Sequence, residues 1–283
     1  MAAEPEVPRS PAPRRLIVNA DDFGLNTATN QAVIRAYREG ILTTASLMVN
    51  EPGFEEAVKM ARTHPRLGVG LHLTLVCGHS SLSPQQIPGL VNAAGEFLNQ
   101  PARTGFRYFW RTSLRSQLRS EIHAQLKKFH ATGLQLDHIN GHLHLHVHPT
   151  VFDILTGDAA ALGIQHMRLP RDPFRLNLRL ASGRLVYRAW HAVIFGLLCR
   201  RAKPVLDRLG IRYTRQVFGL LQNTLVDGPY VMALLPSLPP GDSELYSHPS
   251  VDDFENELDA LINPHVREQI DRLGIQLIRY QDL

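Results

Sequence analysis

His138-Ile139-Asn140-Gly141-His142-Leu143-His144-Leu145-His146-Val147-His148-Pro149 alternates imidazole with aliphatic side chains. In an extended strand successive side chains point to opposite faces, so His142, His144, His146 and His148 would share one face and Leu143, Leu145 and Val147 the other. An ordinary half-buried strand has a mixed polar face. Here one residue type that binds metal and moves protons near neutral pH recurs at every second place. A solvated, tag-like tract would need neither the aliphatic face nor the helix-like segment after Pro149. The stretch is therefore read as a strand that delivers histidine to a metal site. By itself it specifies no reaction.

Outward from this stretch, short apolar runs alternate with amphipathic segments. Arg15-Leu16-Ile17-Val18-Asn19 predicts a buried strand that ends in Ala20-Asp21-Asp22-Phe23-Gly24. Asn26 caps a helix that Gly40 stops. Residues 43–49 predict a strand, 54–63 a helix, and 67–75 a third strand carrying His72. Residues 77–105, punctuated by proline and glycine, read as loop, and a helix over 113–130 leads into the histidine-rich strand. Beyond it come a helix over 151–162 and a strand over 164–169. Late strands are expected at 230–235, 244–249 and 276–280, with a helix over 252–273.

Strands alternating with helices indicate parallel pairing, and this many units predict one α/β domain over residues 15–283, built as a closed or nearly closed (β/α) barrel. In such a barrel chemistry gathers at the C-terminal strand ends. Asp21, Asp22, His72, His142 and His248 all fall there. Taken singly, each has a plain explanation: Asp21-Asp22 and His248-Pro249 as turns, His72 as a hydrogen-bonded core histidine. Together they offer one carboxylate and two imidazoles for a metal, with a carboxylate and an imidazole to spare, which suits metal-assisted hydrolysis.

The 283 residues, 44% of them hydrophobic, suffice for a large core. Two cysteines, Cys77 and Cys199, exclude a disulfide framework and a cysteine-rich zinc ribbon, so any metal must take histidine and carboxylate. Residues 1–14, with Pro5, Pro8, Pro11 and Pro13 and no apolar core, read as a disordered leader on a cytoplasmic protein. Charge is uneven. Between Arg168 and Arg215 stand twelve basic residues against Asp172 and Asp207, a local +10 that leaves −6 for the rest of a +4 chain.

Within this surplus, residues 171–210 read as a basic amphipathic helical insertion. Its uncharged run, 189–199, is far short of the roughly 20 residues that cross a bilayer. It fits a core helix, or an interfacial helix with Trp190, Ile194, Phe195 and Leu198 among acyl chains and arginines on anionic headgroups. In the second case residues 175–203 would give peripheral contact with an anionic inner-membrane surface. Basic and aromatic residues are not interleaved on strands as nucleic-acid stacking modules require, so nucleic acid is not expected as a partner.

Four motifs now stand in order: Ile17-Val18-Asn19-Ala20-Asp21-Asp22-Phe23-Gly24, Gly70-Leu71-His72-Leu73-Thr74, the histidine-rich run before Pro149, and His248-Pro249. Over roughly residues 15–280 they resemble the YdjC-like carbohydrate deacetylases, which include chitooligosaccharide deacetylase. Asn140-Gly141-His142-Leu143-His144 and Leu235-Pro236-Ser237-Leu238-Pro239-Pro240-Gly241 look most like the hopanoid biosynthesis-associated branch. The resemblance implies that Asp22, His72 and His142 bind a divalent metal, that Asp21 is general base and that His248 is general acid. It also implies an N-acetylated amino sugar as substrate, in that branch an N-acetylglucosaminyl hopanoid lipid. The donor set suits Zn2+, while the family is described with Mg2+. One departure stands out: Asn140-Gly141 replaces a common Asp-Ser, putting an amide where a carboxylate would support His142, although an amide carbonyl still accepts a ring N–H. Two other classes share these residues. One is a metal phosphoesterase on the same scaffold; the other is a non-enzymatic membrane-associated binding protein, for which Asp21-Asp22 would be superfluous.

Overall fold

Leu16, Ile17 and Val18 have no exposed surface in the first strand, β1 (Arg14–Phe23). A parallel strand covered on both faces has no polar side, and each such residue contributes roughly 1.5–3 kcal/mol by leaving water. The computed structural model describes residues 12–283. Residues 1–11 of the expected leader lie outside the described residues, and Arg14 already belongs to β1.

After β1 come α1 (Thr27–Glu39), β2 (Thr44–Leu47), α2 (Phe54–Arg62) and β3 (Gly68–Leu73). Helices α3 (Pro101–Trp110) and α4 (Arg115–Ala131) lead to β4 (Ile139–Gly141), followed by α5 (Pro149–Gly157) and α6 (Ala159–Leu162). The basic stretch holds α7 (Phe174–Leu180) and α8 (Leu185–Leu209). The chain then runs through β5 (Gln216–Phe218), α9 (Gly228–Leu234) and β6 (Gly241–Ser247) to α10 (Glu255–Ile262), α11 (Pro264–Arg272) and β7 (Gln276–Leu277).

The strands are all parallel in the order β4-β3-β2-β1-β6-β5, with β7 beside the start of β1. Residues 164–169, expected as a strand, contribute only single bridges: Met167 to Ile139 on one side and His166 to Arg212 on the other. Those bridges, with the Arg215 N–H on the Asp242 carbonyl at 3.0 Å, lead from β4 round to β5 and β6. The sheet therefore curls into an irregular, nearly closed (β/α) barrel, as the alternation of elements predicts.

Several local expectations fail for physical reasons. The histidine-rich stretch is a strand only through Gly141. His142–Val147 is a 3-10 turn in which Leu143 and His144 take left-handed φ of 51° and 56°. The single imidazole face is lost: Leu143 is exposed, while His144 and His146 are buried. Residues 230–235 are helical, because the Asp227 side chain accepts the Tyr230 N–H at 2.9 Å and Pro229 sits in the first turn. Residues 101–105, assigned to loop, open α3 with proline at its start, and the helix runs on to Trp110. Pro264 divides the expected helix over 252–273 into α10 and α11, the last strand is cut to two residues, and β5 had no distinct sequence signal.

Candidate active site

Neighbouring residues of a regular strand face opposite sides, so Asp21 and Asp22 could not both serve one site from an undistorted β1. The pairing register of β1 on β2 shifts between Ala20 and Phe23, and Asp22 takes a left-handed φ of 61°. Aspartate tolerates that conformation, and the bulge re-aims the strand end. Asp21 then lines the cleft at the strand ends while Asp22 meets His72 and His142. Gly24 follows at φ +93°, where a Cβ would lie 2.7 Å from the Met48 carbonyl oxygen. The turn thus requires the glycine of the motif.

Asp22 Oδ1 lies 3.1 Å from His72 Nε2 and 3.0 Å from His142 Nδ1. One ligand atom from each residue falls within 4.8 Å of the others, and two ring nitrogens with one carboxylate oxygen fit a divalent ion. His72 Nδ1 donates to Asn140 Oδ1 at 2.7 Å, which assigns the proton to Nδ1 and leaves Nε2 free to bind. The amide at the sequence departure therefore supports His72 rather than His142. Burial would raise the Asp22 pKa, but His142 and His72 outweigh it and hold the carboxyl well below its usual range. Burial likewise opposes the charged form of His142, and Asp22 overcomes that and raises its pKa.

Asp21 is bound more tightly. Its Oδ1 accepts from Asn19 Nδ2 at 2.8 Å, Arg168 Nη2 at 2.9 Å and Asn140 Nδ2 at 3.1 Å. Its Oδ2 accepts only from Arg168 Nη1, at 2.6 Å, among the described residues. A carboxylate oxygen has two lone-pair directions, so Oδ2 is the atom with room for a further proton. Burial again acts to raise the pKa, but Arg168, with His72 and His248, drives it well below the ordinary value. Arg168 itself has no exposed surface. It binds Glu244 Oε1 through Nε at 2.9 Å and Nη2 at 2.6 Å, lies over the Tyr246 ring at 4.3 Å, and Tyr280 donates to the other oxygen of Glu244.

By sequence Arg168 belongs to the basic surplus of residues 168–215, with no sign of a role at the site. The available signal was its position: the one formally charged residue in the apolar run 164–169, just before Pro170.

His248 directly follows β6. Its backbone N–H donates to Glu257 Oε2 at 2.6 Å, and its Nδ1 lies 3.7 Å from the same oxygen. Burial lowers its pKa, but Glu257, Asp22 and Asp21 more than compensate and raise it to about 9, which favours the protonated ring. The remaining histidines are of another kind. His144 Nε2 meets the Tyr246 hydroxyl at 2.8 Å, while His146 and His148 donate through Nε2 to the carbonyls of Arg168 and Gly105. Burial depresses all three, His146 to about 3, which favours the neutral form, and of the three His144 alone is among the residues that line the cleft.

The structure thus brings all five sequence-predicted residues to one end of the barrel. The cleft there, lined by Asp21, His72, His142 and His248, is closed by Leu143 and the α8 side chains Tyr187, His191 and Phe195. Its volume, about 320 Å³, is at the lower end for small-molecule sites. A larger groove of about 1270 Å³ beside α8 and β5 contains none of these five residues.

Strand-end carboxylates and imidazoles of opposite charge, set round a cluster that could hold a metal ion, define the chain as a hydrolytic enzyme on a (β/α) barrel. More specifically, the chain belongs to the YdjC-like protein family, which matches residues 15–272. It is 33% identical over 273 residues to a carbohydrate deacetylase of Geobacillus stearothermophilus, covering 95% of this chain and 98% of that one. It is 30% identical over 274 residues to a chitooligosaccharide deacetylase of Serratia marcescens, again covering 95% and 98%. A crystal structure of a proposed cellobiose-phosphate cleavage protein from Enterococcus faecalis V583 shares the fold, with a TM-score of 0.75 at 22% identity over 96% of this chain and 99% of that one.

Proposed function

We propose that the protein is a metal-dependent carbohydrate deacetylase that removes the acetyl group from an N-acetylated amino sugar. The observation that carries this is the Asp22, His72 and His142 cluster beside an ionised Asp21 at one cleft, in a chain with deacetylase relatives over nearly its whole length. A divalent ion, Zn2+ or Mg2+, held by Asp22, His72 and His142 would supply counter-charge for the tetrahedral oxyanion and acidify the attacking water. Asp21 Oδ2 takes a proton from that water as its oxygen bonds to the carbonyl carbon. Arg168 keeps Asp21 ionised and oriented for the step. His248 gives its proton to the departing nitrogen as the C–N bond breaks, and the products are acetate and a free amine.

In the finer reading the sugar is lipid-linked, as on an N-acetylglucosaminyl hopanoid, and residues 175–203 touch the anionic cytoplasmic face of the inner membrane. Among the described residues no helix is long and apolar enough to cross a membrane. Arg188 drops out of the headgroup-binding set: it is buried, and its guanidinium donates to the carbonyls of Ala181 at 2.6 Å and Ser182 at 2.9 Å. The test is acetate release from an N-acetylglucosamine oligomer and from an N-acetylglucosaminyl lipid, with and without chelator. Chelator-sensitive acetate supports the proposal. Phosphate release from a sugar phosphate in its place would move the chain to the phosphoesterases.

A further inference from the structure

Helix α3 was unexpected, and it is built with two unlike faces. Inward, Thr104 and Tyr108 are buried, and the Tyr108 hydroxyl donates to the Leu75 carbonyl at 2.8 Å. Outward, Phe106 and Trp110 are each 69% exposed and Phe109 is 50% exposed. Helix α8 repeats the design on a larger scale. Tyr187, His191 and Phe195 line the cleft, while Val186, Trp190, Val193 and Leu197 form an exposed stripe at spacings of four, three and four.

The two helices belong to one rim. Pro101 at the start of α3 and the inner side chains of α8 border the same cleft, with exposed Leu143 also on its edge. Both are tied to the segment between them: Gly105 and Tyr108 accept hydrogen bonds from His148 and Thr150, and Arg201 pairs with Asp153 of α5 at 2.8 Å.

Charge selects the occupant of these apolar faces. Residues 97–120 contain five arginines and no acid, and residues 173–206 contain seven basic residues and no acid. Among the described residues, Arg103, Arg107 and Arg111 on one side and Arg175, Arg179 and Arg184 on the other form no ion pair with a carboxylate. Exposed aromatic and aliphatic side chains bordered by unpaired arginine complement an anionic lipid surface: the apolar groups enter the interface and the guanidinium groups hold headgroups. A second protein copy would bring the same positive charge against itself.

We propose that α3 and α8 are two prongs of a platform that seats the protein on an anionic bilayer, with the catalytic cleft opening between them toward the lipid surface. This rests on the lipid-linked version of the proposed substrate, and it adds a second contact outside residues 175–203. Because Pro101 of α3 and Tyr187, His191 and Phe195 of α8 line the same cleft, the sugar would on this proposal enter from the membrane side.

The experiment uses the full chain. Wild type and a Phe106→Ser, Trp110→Ser variant are sedimented with vesicles of phosphatidylglycerol and phosphatidylcholine, and with phosphatidylcholine alone. Acetate release from a soluble N-acetylglucosamine oligomer is read on the same preparations, and each mass is measured in solution. The wild type should prefer the anionic vesicles, and the variant should lose about tenfold or more in partitioning, since two interfacial aromatic side chains are removed. Its soluble activity and mass should not change, because both side chains are exposed and neither lines the cleft. Equal sedimentation of wild type and variant, or equal binding of wild type to neutral and anionic vesicles, overturns the platform. So does a wild-type dimer that the substitutions dissociate, because the faces then belong to a second copy. Acetate decides the deacetylase assignment and sedimentation decides the platform, so either can fail while the other stands.

Discussion

Asp21 and Asp172 are both buried carboxylates, yet the two regions that hold them treat charge in opposite ways. At the barrel floor Asp21 receives two hydrogen bonds from Arg168, which in turn binds Glu244. It is held ionised. Under α7 and α8, Asp172 accepts from the Asn177 side chain and the Leu221 N–H but has no ion pair among the described residues. Nearby Arg188 spends its donors on the carbonyls of Ala181 and Ser182 and on Gln222 Oε1. Burial therefore prevails and raises the Asp172 pKa to about 7. The floor is arranged to keep charge available for chemistry. The helical wall stores a carboxyl group that is most comfortable neutral.

The contrast is broken most severely at the metal cluster. Asp22→Ala removes the only carboxylate of the predicted donor set, so bound metal should be lost and turnover should fall by about 10³-fold or more, as expected when several kcal/mol of electrostatic stabilisation disappears. Metal analysis of the folded variant checks this; full metal content would show that the ion, if present, sits elsewhere. Asp21→Asn should retain metal and lose roughly 10²–10⁴ in kcat, because proton acceptance is removed while the cluster is spared. Unchanged kcat would move the base to another residue.

The wall makes a different prediction, in stability. The Asp172 carboxyl is neutral in the folded chain up to about pH 7, whereas in the unfolded chain it ionises near pH 3.9. Its stabilising effect is therefore complete below about pH 4 and is lost as pH rises toward and through 7, at a slope of up to about 1.4 kcal/mol per pH unit. Urea unfolding of wild type and Asp172→Asn at pH 5 and pH 8 should show the wild type losing stability relative to the variant at the higher pH. Parallel behaviour of the two proteins would mean that Asp172 is compensated after all, and the difference between floor and wall would vanish.

The two regions also differed in how far they could be read from sequence. Asp21, Asp22, His72 and His248 sit at strand ends announced by local apolar runs, and β1, β2, β3 and β6 formed where those runs lie. The barrel class followed from the alternation of elements. What failed was information carried by distant contacts. Arg168 looks like any surface arginine until Asp21, 147 positions away, is placed beside it. The histidine-rich stretch satisfies a two-residue period perfectly well, but left-handed backbone at Leu143 and His144 turns it out of the sheet. Burial then ties His144 to Tyr246 and His146 to the Arg168 carbonyl, leaving His142 at the cluster. The outer faces of α3 and α8 were only half legible, since a short apolar run does not reveal which side of a helix will be covered.

The smallest predicted effect separates two asparagines of the floor that look alike. Asn19 and Asn140 each donate to Asp21 Oδ1 and to Ser46 Oγ. Only Asn140 also accepts the Nδ1 proton of His72, and so joins the proposed proton acceptor, Asp21, to a proposed metal ligand. Ser46 reinforces this arrangement: it accepts from both amides and therefore donates its own proton to His138 Nε2, at 2.9 Å, while His138 Nδ1 donates to Asp137 at 2.9 Å. The amide of Asn140 is thereby fixed in one orientation, with its oxygen toward His72. Asn140→Ala should accordingly cost roughly 10–100-fold in metal affinity, the usual range when a hydrogen bond that orients a metal-binding histidine is deleted. Asn19→Ala should lower kcat through Asp21 but leave metal affinity unchanged. Asn140→Asp, which keeps an acceptor for His72, should recover most of the metal affinity while placing a second negative charge 3.1 Å from Asp21, so its kcat should stay low. Measured metal affinities that fall equally for Asn19→Ala and Asn140→Ala would show that the floor acts as one packed unit. A loss confined to Asn140→Ala would show that a single amide sets His72 for the metal and Asp21 for the proton.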